Sequence, residues 1–243
     1  MPASSPQFQP TRWTLIAAAN GSDDSEARAA LEQLCDAYWY PLYAYVRRKG
    51  HAPEDSEDLV QGFFQRLIER DYFAAARRER GRLRSFLLHQ MDCHLADSAR
   101  HRNAQKRGGG KLPLSLDADQ AEAYYAAEPF TDETPETLYQ RRWALTIVAR
   151  SLEALRAQRE KHGRGEEFDL LRPALTEPTA TALDTATAAE ELGIPRDQLR
   201  VRVHRLRTQF REFLTEEVAA TMHTTSKEEL EQEIQSLLAA LRG

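Results

Sequence analysis

Apolar residues recur every three or four positions along most of the chain, and this spacing predicts helices rather than strands. Leu59, Phe63 and Leu67 form one such stripe, in a segment that opens with a proline and several acidic residues. The segment before this stripe also predicts a helix, and we expect Pro41 to interrupt it, because proline removes a backbone hydrogen bond. The helix is expected to resume after Pro41 and to end at Gly50. Strand patterns are nearly missing from the sequence, so the predicted fold class is all-α.

The same pattern divides the chain into two helical modules joined by an acidic linker. Between Leu112 and Glu136 acidic residues are frequent and no residue is basic, which is typical of a loop-like connection. Thr134 as a cap and Pro135 in the first turn then indicate the start of a new helix. The expected division is a disordered lead-in at residues 1–10, a first module at 11–107, the linker at 108–135, a second module at 136–222 and a C-terminal helix at 223–243.

Charge is unevenly distributed in this acidic protein. The chain has 33 Lys and Arg against 38 Asp and Glu, a net charge of −5, and all but five of the basic residues are arginines. Ten basic and four acidic residues lie between Arg70 and Arg107, among the aromatic residues Tyr72, Phe73 and Phe86. A second stretch, Arg196–Arg211, has six arginines and one acid. Two basic surfaces predict one polyanionic partner, and the interleaved aromatic rings favour single-stranded nucleic acid.

The second basic stretch lies in a helix-turn-helix pattern. A short helix from Thr185 ends at Gly193, and Pro195 suits the first position of the next helix. That helix has an apolar stripe made of Leu199, Val203, Leu206, Phe210 and Phe213. In a major groove, bases would be contacted by its first polar residues, and phosphates by its later arginines. The alternative is a bundle helix with a solvated arginine face, and a solvated face is also the alternative for the first basic stretch.

No motif of an enzyme or of a metal site is found in the sequence. It has no phosphate-binding loop, dinucleotide fingerprint or zinc-protease motif, so we expect no enzymatic activity and no cofactor. His89 and Cys93 are one helical turn apart, but with only His101 nearby they are too few for a closed zinc site, and no metal is expected.

Three stretches resemble sigma factors of the extracytoplasmic-function (ECF) group in the sigma-70 family. "PEDSEDLVQGFFQRLIE" is similar to an acidic segment of that group, "RSFLLHQMDCHLADSARHR" to the helix that follows it, and "AAEELGIPRDQLRVRVHRLRTQFRE" to its second helix-turn-helix. The resemblance covers most of Trp13–Leu214. The chain departs from the family pattern at Phe86, where tryptophan is common, and at Cys93, where asparagine is frequent. It also has "TEPTATALD" ahead of the helix-turn-helix, where the family usually has "Y-x-E-I-A".

The resemblance implies a dissociable specificity subunit of bacterial RNA polymerase that acts in transcription initiation. Its partners would be core RNA polymerase and promoter DNA, with an anti-sigma or other regulatory protein as a further partner. Independently of the resemblance, the two cysteines form no disulfide framework and no apolar run is long enough for a membrane span, so we expect a cytoplasmic protein without a membrane partner. The first module (sigma-2) would capture the −10 element and the second (sigma-4) the −35 element. The linker resembles the segment that the family threads through the polymerase near its RNA path.

The resemblance also implies roles for individual residues. The positions that match the polymerase-docking surface are Asp55, Glu57, Asp58, Gln61 and Phe64. The positions in the helix that matches the −10 reader are Arg84, Asp97, Arg100, Arg102 and Asn103. The positions that match the −35 reader are Arg196, Gln198, Arg200, Arg202, His204 and Arg205.

Two other classes of protein share some of these features. A helix-turn-helix regulator would bind duplex DNA without polymerase, and such regulators usually bind as two-fold dimers. A helical adaptor would have no nucleic-acid partner, and any DNA binding would then depend little on salt.

The C-terminal segment predicts one further amphipathic helix. Ser226 and Glu229 form a capping box ahead of it. Its apolar stripe consists of Leu230, Ile234, Leu237, Leu238 and Leu241. An isolated helix of this length is marginal in water, so it must pack on something. Either it completes the core of the second module, or it docks between the modules or on the first one and competes with polymerase or DNA.

Overall fold

The protein is described by a computed structural model that covers residues 25–69, 82–102, 118–128, 132–176, 185–222 and 226–242. These residues form ten helices and no strand, apart from one isolated β-bridge between Arg82 and Met222. The prediction of an all-α fold is therefore confirmed. In chain order the helices are α1 (Ser25–Arg48), α2 (Pro53–Glu69), α3 (Leu83–Arg102), α4 (Ala118–Ala126), α5 (Pro135–Lys161), α6 (Gly165–Leu171), α7 (Pro173–Thr176), α8 (Thr185–Glu191), α9 (Arg196–Ala219) and α10 (Lys227–Arg242).

The first helix continues through Pro41, so the predicted interruption is wrong. Proline lacks the backbone N–H that would complete one helical hydrogen bond, which costs about 3 kcal/mol inside a helix. Here the residues on both sides of Pro41 are buried: Tyr38, Trp39, Leu42 and Tyr43 are each at most 2% exposed. Packing of this apolar run against the neighbouring helices offsets the missing bond.

The chain divides into two compact units, and the second is inserted into the first. Unit 1 contains the described residues up to Leu145 together with those from Ala219 onward, and unit 2 consists of Thr146–Val218. Helix α5 therefore begins in unit 1 and ends in unit 2. The C-terminal helix α10 belongs to unit 1, so the interpretation that it completes the core of the second module is wrong.

The core of unit 1 is built around α1, which packs against α2, α3 and α4. Its largest fully buried side chains are aromatic, and they include Trp39, Tyr43 and Trp143. The rings of Trp39 and Tyr43 are stacked with centroids 5.2 Å apart, and the indole Nε1 of Trp143 donates a hydrogen bond to the Tyr38 hydroxyl at 3.1 Å. Buried aromatic side chains of this size dominate core energetics.

The acidic connection between the modules is partly helical. We expected a loop-like segment, but residues Ala118–Ala126 form α4, which packs on α1. Alanine favours helix, and Ala121 is buried. The next helix begins as predicted, because the Thr134 side-chain oxygen accepts a hydrogen bond from the backbone N–H of Thr137 at 3.2 Å.

Candidate nucleic-acid and polymerase interfaces

Helices α8 and α9 form a helix-turn-helix whose turn is determined by local backbone chemistry. The N–H of Gly193 donates to the carbonyl of Glu190, and the N–H of Ile194 donates to that of Ala189, both at 3.0 Å. This pair of bonds is a Schellman motif, which requires a left-handed residue just after the helix. Gly193 supplies it, with a φ of 61°. The turn predicted from the glycine and the following proline is therefore present.

The predicted apolar stripe of α9 is the side of the helix that packs. Leu199 and Leu206 are fully buried in one cluster with Phe168 and Leu171 of α6 and with Ala188 and Ala189 of α8. The other members of the stripe, Val203, Phe210 and Phe213, are partly buried against the same cluster. Burial of this stripe determines which side of α9 faces solvent.

Five of the six residues that match the −35 reader lie on the exposed side of α9. These are Arg196, Gln198, Arg200, His204 and Arg205. The side chain of Arg200 is 78% exposed, and its Nη1 lies 3.5 Å from Asp197 Oδ1. The start of α9 therefore presents long donors to solvent, next to an exposed Val201.

Arg202 differs from the other predicted reader residues. Its Nη1 donates to Glu167 Oε1 at 2.9 Å, and its side chain is 39% exposed. Arg207 likewise donates to the carbonyl of Ala174 with two nitrogens, at 3.2 and 3.0 Å. These two arginines hold α9 against α6 and α7 within unit 2.

The polymerase-docking positions lie on α2, and four of the five reach the surface. Asp55 and Asp58 are exposed. Glu57 and Gln61 are half-buried, and the Gln61 amide donates to Glu57 Oε1 at 2.9 Å. Phe64, by contrast, is fully buried, with its ring in edge-to-face contact with Phe63. Its side chain contributes to the core of unit 1.

Of the described positions that match the −10 reader, Arg84 lies apart from Asp97 and Arg100. Arg84 lies in the first turn of α3 and is buried, whereas Asp97 and Arg100 lie about 20 Å further along the helix axis. Arg100 is 75% exposed and lies 3.4 Å from Asp97, which also lies 3.7 Å from Arg66. Arg102 is in the last turn of α3, and its side chain and Asn103 lie outside the described residues.

Arg84 lies in a buried polar cluster of unit 1. Its guanidinium donates to both carboxylate oxygens of Glu233, at 2.6 and 3.0 Å, and also to the side chain of Gln140. The guanidinium carbon lies 4.7 Å from the centre of the Trp143 ring, a cation–π contact. Bidentate pairing of this kind is the strongest that arginine makes with a carboxylate.

Glu233 is a buried acidic residue of this cluster that the sequence analysis missed. It is 1% exposed, as buried as any apolar residue of α10, and it also pairs with Arg82 at 2.6 Å. Within α10 only Glu233 and Leu237 are buried, and the rest of the predicted stripe is half-buried. Its position in the sequence could have indicated this burial. Glu233 comes three residues after Leu230 and four before Leu237, so it lies on the same face of the helix as the apolar stripe.

The acidic helix α4 is held on unit 1 by pairs with α1. Tyr43 and Arg47 both donate to Glu122, at 2.6 Å from the hydroxyl and 2.7 Å from the nearest guanidinium nitrogen. The hydrogen bond from Arg47 lowers the pKa of the Glu122 carboxyl, and burial raises the pKa of the Tyr43 hydroxyl. Just beyond α4, Glu128 accepts from Tyr40 and Arg141 at 3.1 Å and also pairs with Arg142.

His89 and Cys93 lie next to each other on α3. Cys93 Sγ lies 3.9 Å from His89 Nε2, and within the described ranges no group of three or more His, Cys, Asp or Glu residues could hold a metal ion. His94 instead is buried against Phe63 and near Arg66. Burial, with a smaller contribution from Arg66, lowers the pKa of His94 to about 4.

Helix length and hydropathy also bear on membrane insertion. In the part of the chain that the structure describes, no helix is both long enough and apolar enough to cross a bilayer.

Comparison with known proteins gives one match. A sequence model of the family described as "ECF sigma factor" matches residues 20–237, which is most of the chain and includes both units. Searches of curated proteins and of solved structures found no match. A match across both units disfavours a regulator that binds DNA without polymerase. The chain therefore belongs to the ECF sigma factor family, and it is a sigma factor of RNA polymerase that acts in transcription initiation.

Proposed function

We propose that this sigma factor reads the upstream promoter element with the exposed side of α9 and docks on core RNA polymerase with the exposed side of α2. The observation that carries the first part is the orientation of α9. Its apolar stripe is buried, so Arg196, Gln198 and Arg200 point away from the core of unit 2. Arginine and glutamine at the start of such a helix have the donor geometry to read guanine and adenine in the major groove.

Docking on the polymerase is proposed for the polar edge of α2. Asp55 and Asp58 are exposed acids, and Gln61 lies one turn after Glu57 on the same helix. Phe64 acts differently in this proposal, because its burial keeps the helix in place for the polar residues. An acidic edge suits a basic or polar partner surface and would make docking sensitive to salt.

For the downstream element we propose the C-terminal end of α3. Arg100 is exposed there, and Arg102 and Asn103 follow along the chain. Opening the DNA strands costs a few kcal/mol for each unpaired base. Stacking of an unpaired base on an aromatic side chain returns about 1–3 kcal/mol, and basic side chains attract the phosphate backbone. Tethering both readers to one polymerase raises their effective concentration, so neither needs high affinity alone.

The remaining parts of the proposal concern partners and place. We expect the protein to work in the cytoplasm, where polymerase and DNA are found, as a non-catalytic factor. An anti-sigma or other regulatory protein is a further expected partner. The structure gives less support to a dimeric regulator, because α10, which is suited to dimerisation, uses its buried residues Glu233 and Leu237 within its own unit.

The test combines binding and transcription. Core RNA polymerase is immobilised, the full chain is added, and the retained complex is used for run-off transcription on a library of genomic fragments. We expect stoichiometric retention and transcripts that start at a defined subset of fragments. A chain that binds duplex fragments as a dimer and is not retained by polymerase would contradict the proposal and favour the regulator.

A further inference from the structure

Two arginines of unit 1 share a single carboxylate from the C-terminal helix. Glu233 Oε1 accepts from Arg84 Nε at 2.6 Å, and Glu233 Oε2 lies 2.6 Å from Arg82 Nε. The carboxylate is 1% exposed, Arg84 is 6% exposed, and Arg82 is 39% exposed. The cluster is therefore closed by α10 on one side and reaches solvent through Arg82.

The chemistry of this cluster suits a phosphate as well as a carboxylate. Two guanidinium groups converge on one anion, and arginine forks bind carboxylates and phosphates with the same bidentate geometry. The side-chain oxygen of Gln140 accepts a hydrogen bond from Arg84 and holds that guanidinium in place. Two arginines against one glutamate also leave a net positive charge. The guanidinium of Arg84 also lies over the fully buried ring of Trp143, and this contact holds the arginine in place at the anion site.

Stability alone does not require a charged cluster here. A buried ion pair stabilises a fold no better, in general, than apolar residues of the same volume. The helix that supplies Glu233 is also short, with 16 residues, and only one of its apolar side chains is fully buried. Helices of this length are marginal on their own, and undocking of α10 would expose Arg84 and release Arg82 from its carboxylate.

We propose that α10 is an intramolecular competitor of nucleic-acid phosphate for Arg82 and Arg84. In the docked state Glu233 occupies the anion site and the chain binds single-stranded DNA weakly. Displacement of α10 opens the site beside Trp143 and adds two phosphate contacts. The inference rests on the proposed function in one respect only, which is that the anion displacing Glu233 belongs to promoter DNA.

The first experiment measures binding of the full chain to a short, fluorescein-labelled single-stranded oligodeoxynucleotide by anisotropy over a range of salt concentrations. Glu233→Gln removes the charge and keeps the shape of the side chain. Glu231→Gln, an exposed acid on the same helix, changes the net charge equally and is the matched control. We expect tighter binding by Glu233→Gln, with a salt dependence steeper by about 1.4 in log Kd against log salt, about 0.7 for each released arginine.

The second experiment assigns the effect to the anion site. Arg84→Ala is made in the wild-type chain and in the Glu233→Gln chain. If Glu233 masks the site, Arg84→Ala has little effect on DNA binding in the wild type and reverses about half of the added salt dependence in the Glu233→Gln chain. Equal affinity and equal salt dependence of a folded Glu233→Gln and the wild type would overturn the proposal.

A third measurement uses the wild type only and does not depend on how the variants fold. Amide hydrogen exchange of α10 is followed in the free chain and with saturating probe DNA. Loss of protection in α10 on adding DNA supports the competitor, and unchanged protection at saturation overturns it. The parallel polymerase pull-down separates the two ideas: failure of the proposed function abolishes retention by polymerase in every variant, whereas failure of the competitor leaves retention intact and the DNA affinities equal.

Discussion

Glu233 and Arg84 are 149 positions apart in the chain, and their carboxylate and guanidinium groups form two hydrogen bonds in the interior of unit 1. The backbone carbonyl of Arg84 also accepts a hydrogen bond from the Tyr139 hydroxyl at 2.9 Å. Helices α3, α5 and α10 thus meet at one residue. The last helix of the chain is therefore part of the same unit as the helix that matches the −10 reader, and not part of the helix-turn-helix.

Removal of α10 is expected to destabilise unit 1. A chain that ends at Thr225 leaves Arg84 without its carboxylate and exposes the site of Leu237, which is fully buried. Loss of one partner of a buried ion pair costs about 3–5 kcal/mol, less whatever the newly exposed arginine regains from water. Urea unfolding measures the loss, and hydrogen exchange locates it.

The location is the critical part of that prediction. Protection should fall in α1, α3 and the start of α5, and the cluster around Phe168 and Leu206 in unit 2 should keep its protection. Arg242→Ala, an exposed change at the end of α10, is the control for altering the C-terminus. Loss confined to unit 2 would show that α10 supports the other unit.

Docking on polymerase is expected to depend on the polar edge of α2. Asp58→Ala combined with Gln61→Ala should weaken binding to core polymerase and leave the melting temperature nearly unchanged, because neither side chain is buried. Affinity is measured with labelled chain and purified core enzyme. Glu153→Ala, an exposed acid on α5, is the control, and co-elution of the double variant at wild-type affinity would rule out this surface.

The two ends of the basic stretch on α9 are expected to act differently on DNA. Arg200→Ala should change which upstream sequences are bound, at a cost of about 1–3 kcal/mol for a bidentate contact to guanine. Arg211→Ala should weaken all sequences alike and lower the salt dependence by about one unit. Both are measured with holoenzyme on a panel of promoter fragments, and equal, sequence-independent losses would make α9 a general phosphate binder.

Acid is expected to destabilise unit 1 through His94. Its pKa is about 4 in the folded chain against 6.5 for a free histidine, so the unfolded chain binds the extra proton between these values. The contribution of neutral His94 to the free energy of unfolding is fully present above about pH 6.5 and is lost as the pH falls toward 4. The free energy of unfolding then changes by at most about 1.4 kcal/mol per pH unit through this group.

The contribution of His94 is measured as a difference between variants. His94→Gln cannot titrate, so its unfolding free energy should vary less with pH than that of the wild type between about pH 4 and 6.5. His89→Gln, which replaces an exposed histidine on the same helix, is the matched control. Parallel curves for the wild type and His94→Gln would show that His94 is not the group that titrates.

Much of the fold follows from short-range patterns. The helix-turn-helix depends on Gly193 at a left-handed position and on apolar residues spaced for one face, and both are properties of neighbouring residues. The same holds for the cap at Thr134. Pro41 shows the limit of such reasoning, because its local cost is outweighed by packing partners from other helices that no local pattern contains.

The sequence by itself determined the helical class, the helix-turn-helix and the family, because these depend on spacing and on motifs that are read along the chain. Only the tertiary structure decided which of the matching residues are accessible. Arg84 and Phe64 match surface positions of the family, yet both are buried, and Arg202 is paired with Glu167. The position of α10 was also decided by the tertiary structure. An amphipathic stripe predicts that a helix packs against another part of the protein, but it does not identify that part. Glu233 and Arg84 meet across 149 residues, and a contact of that range leaves no periodic trace in either segment.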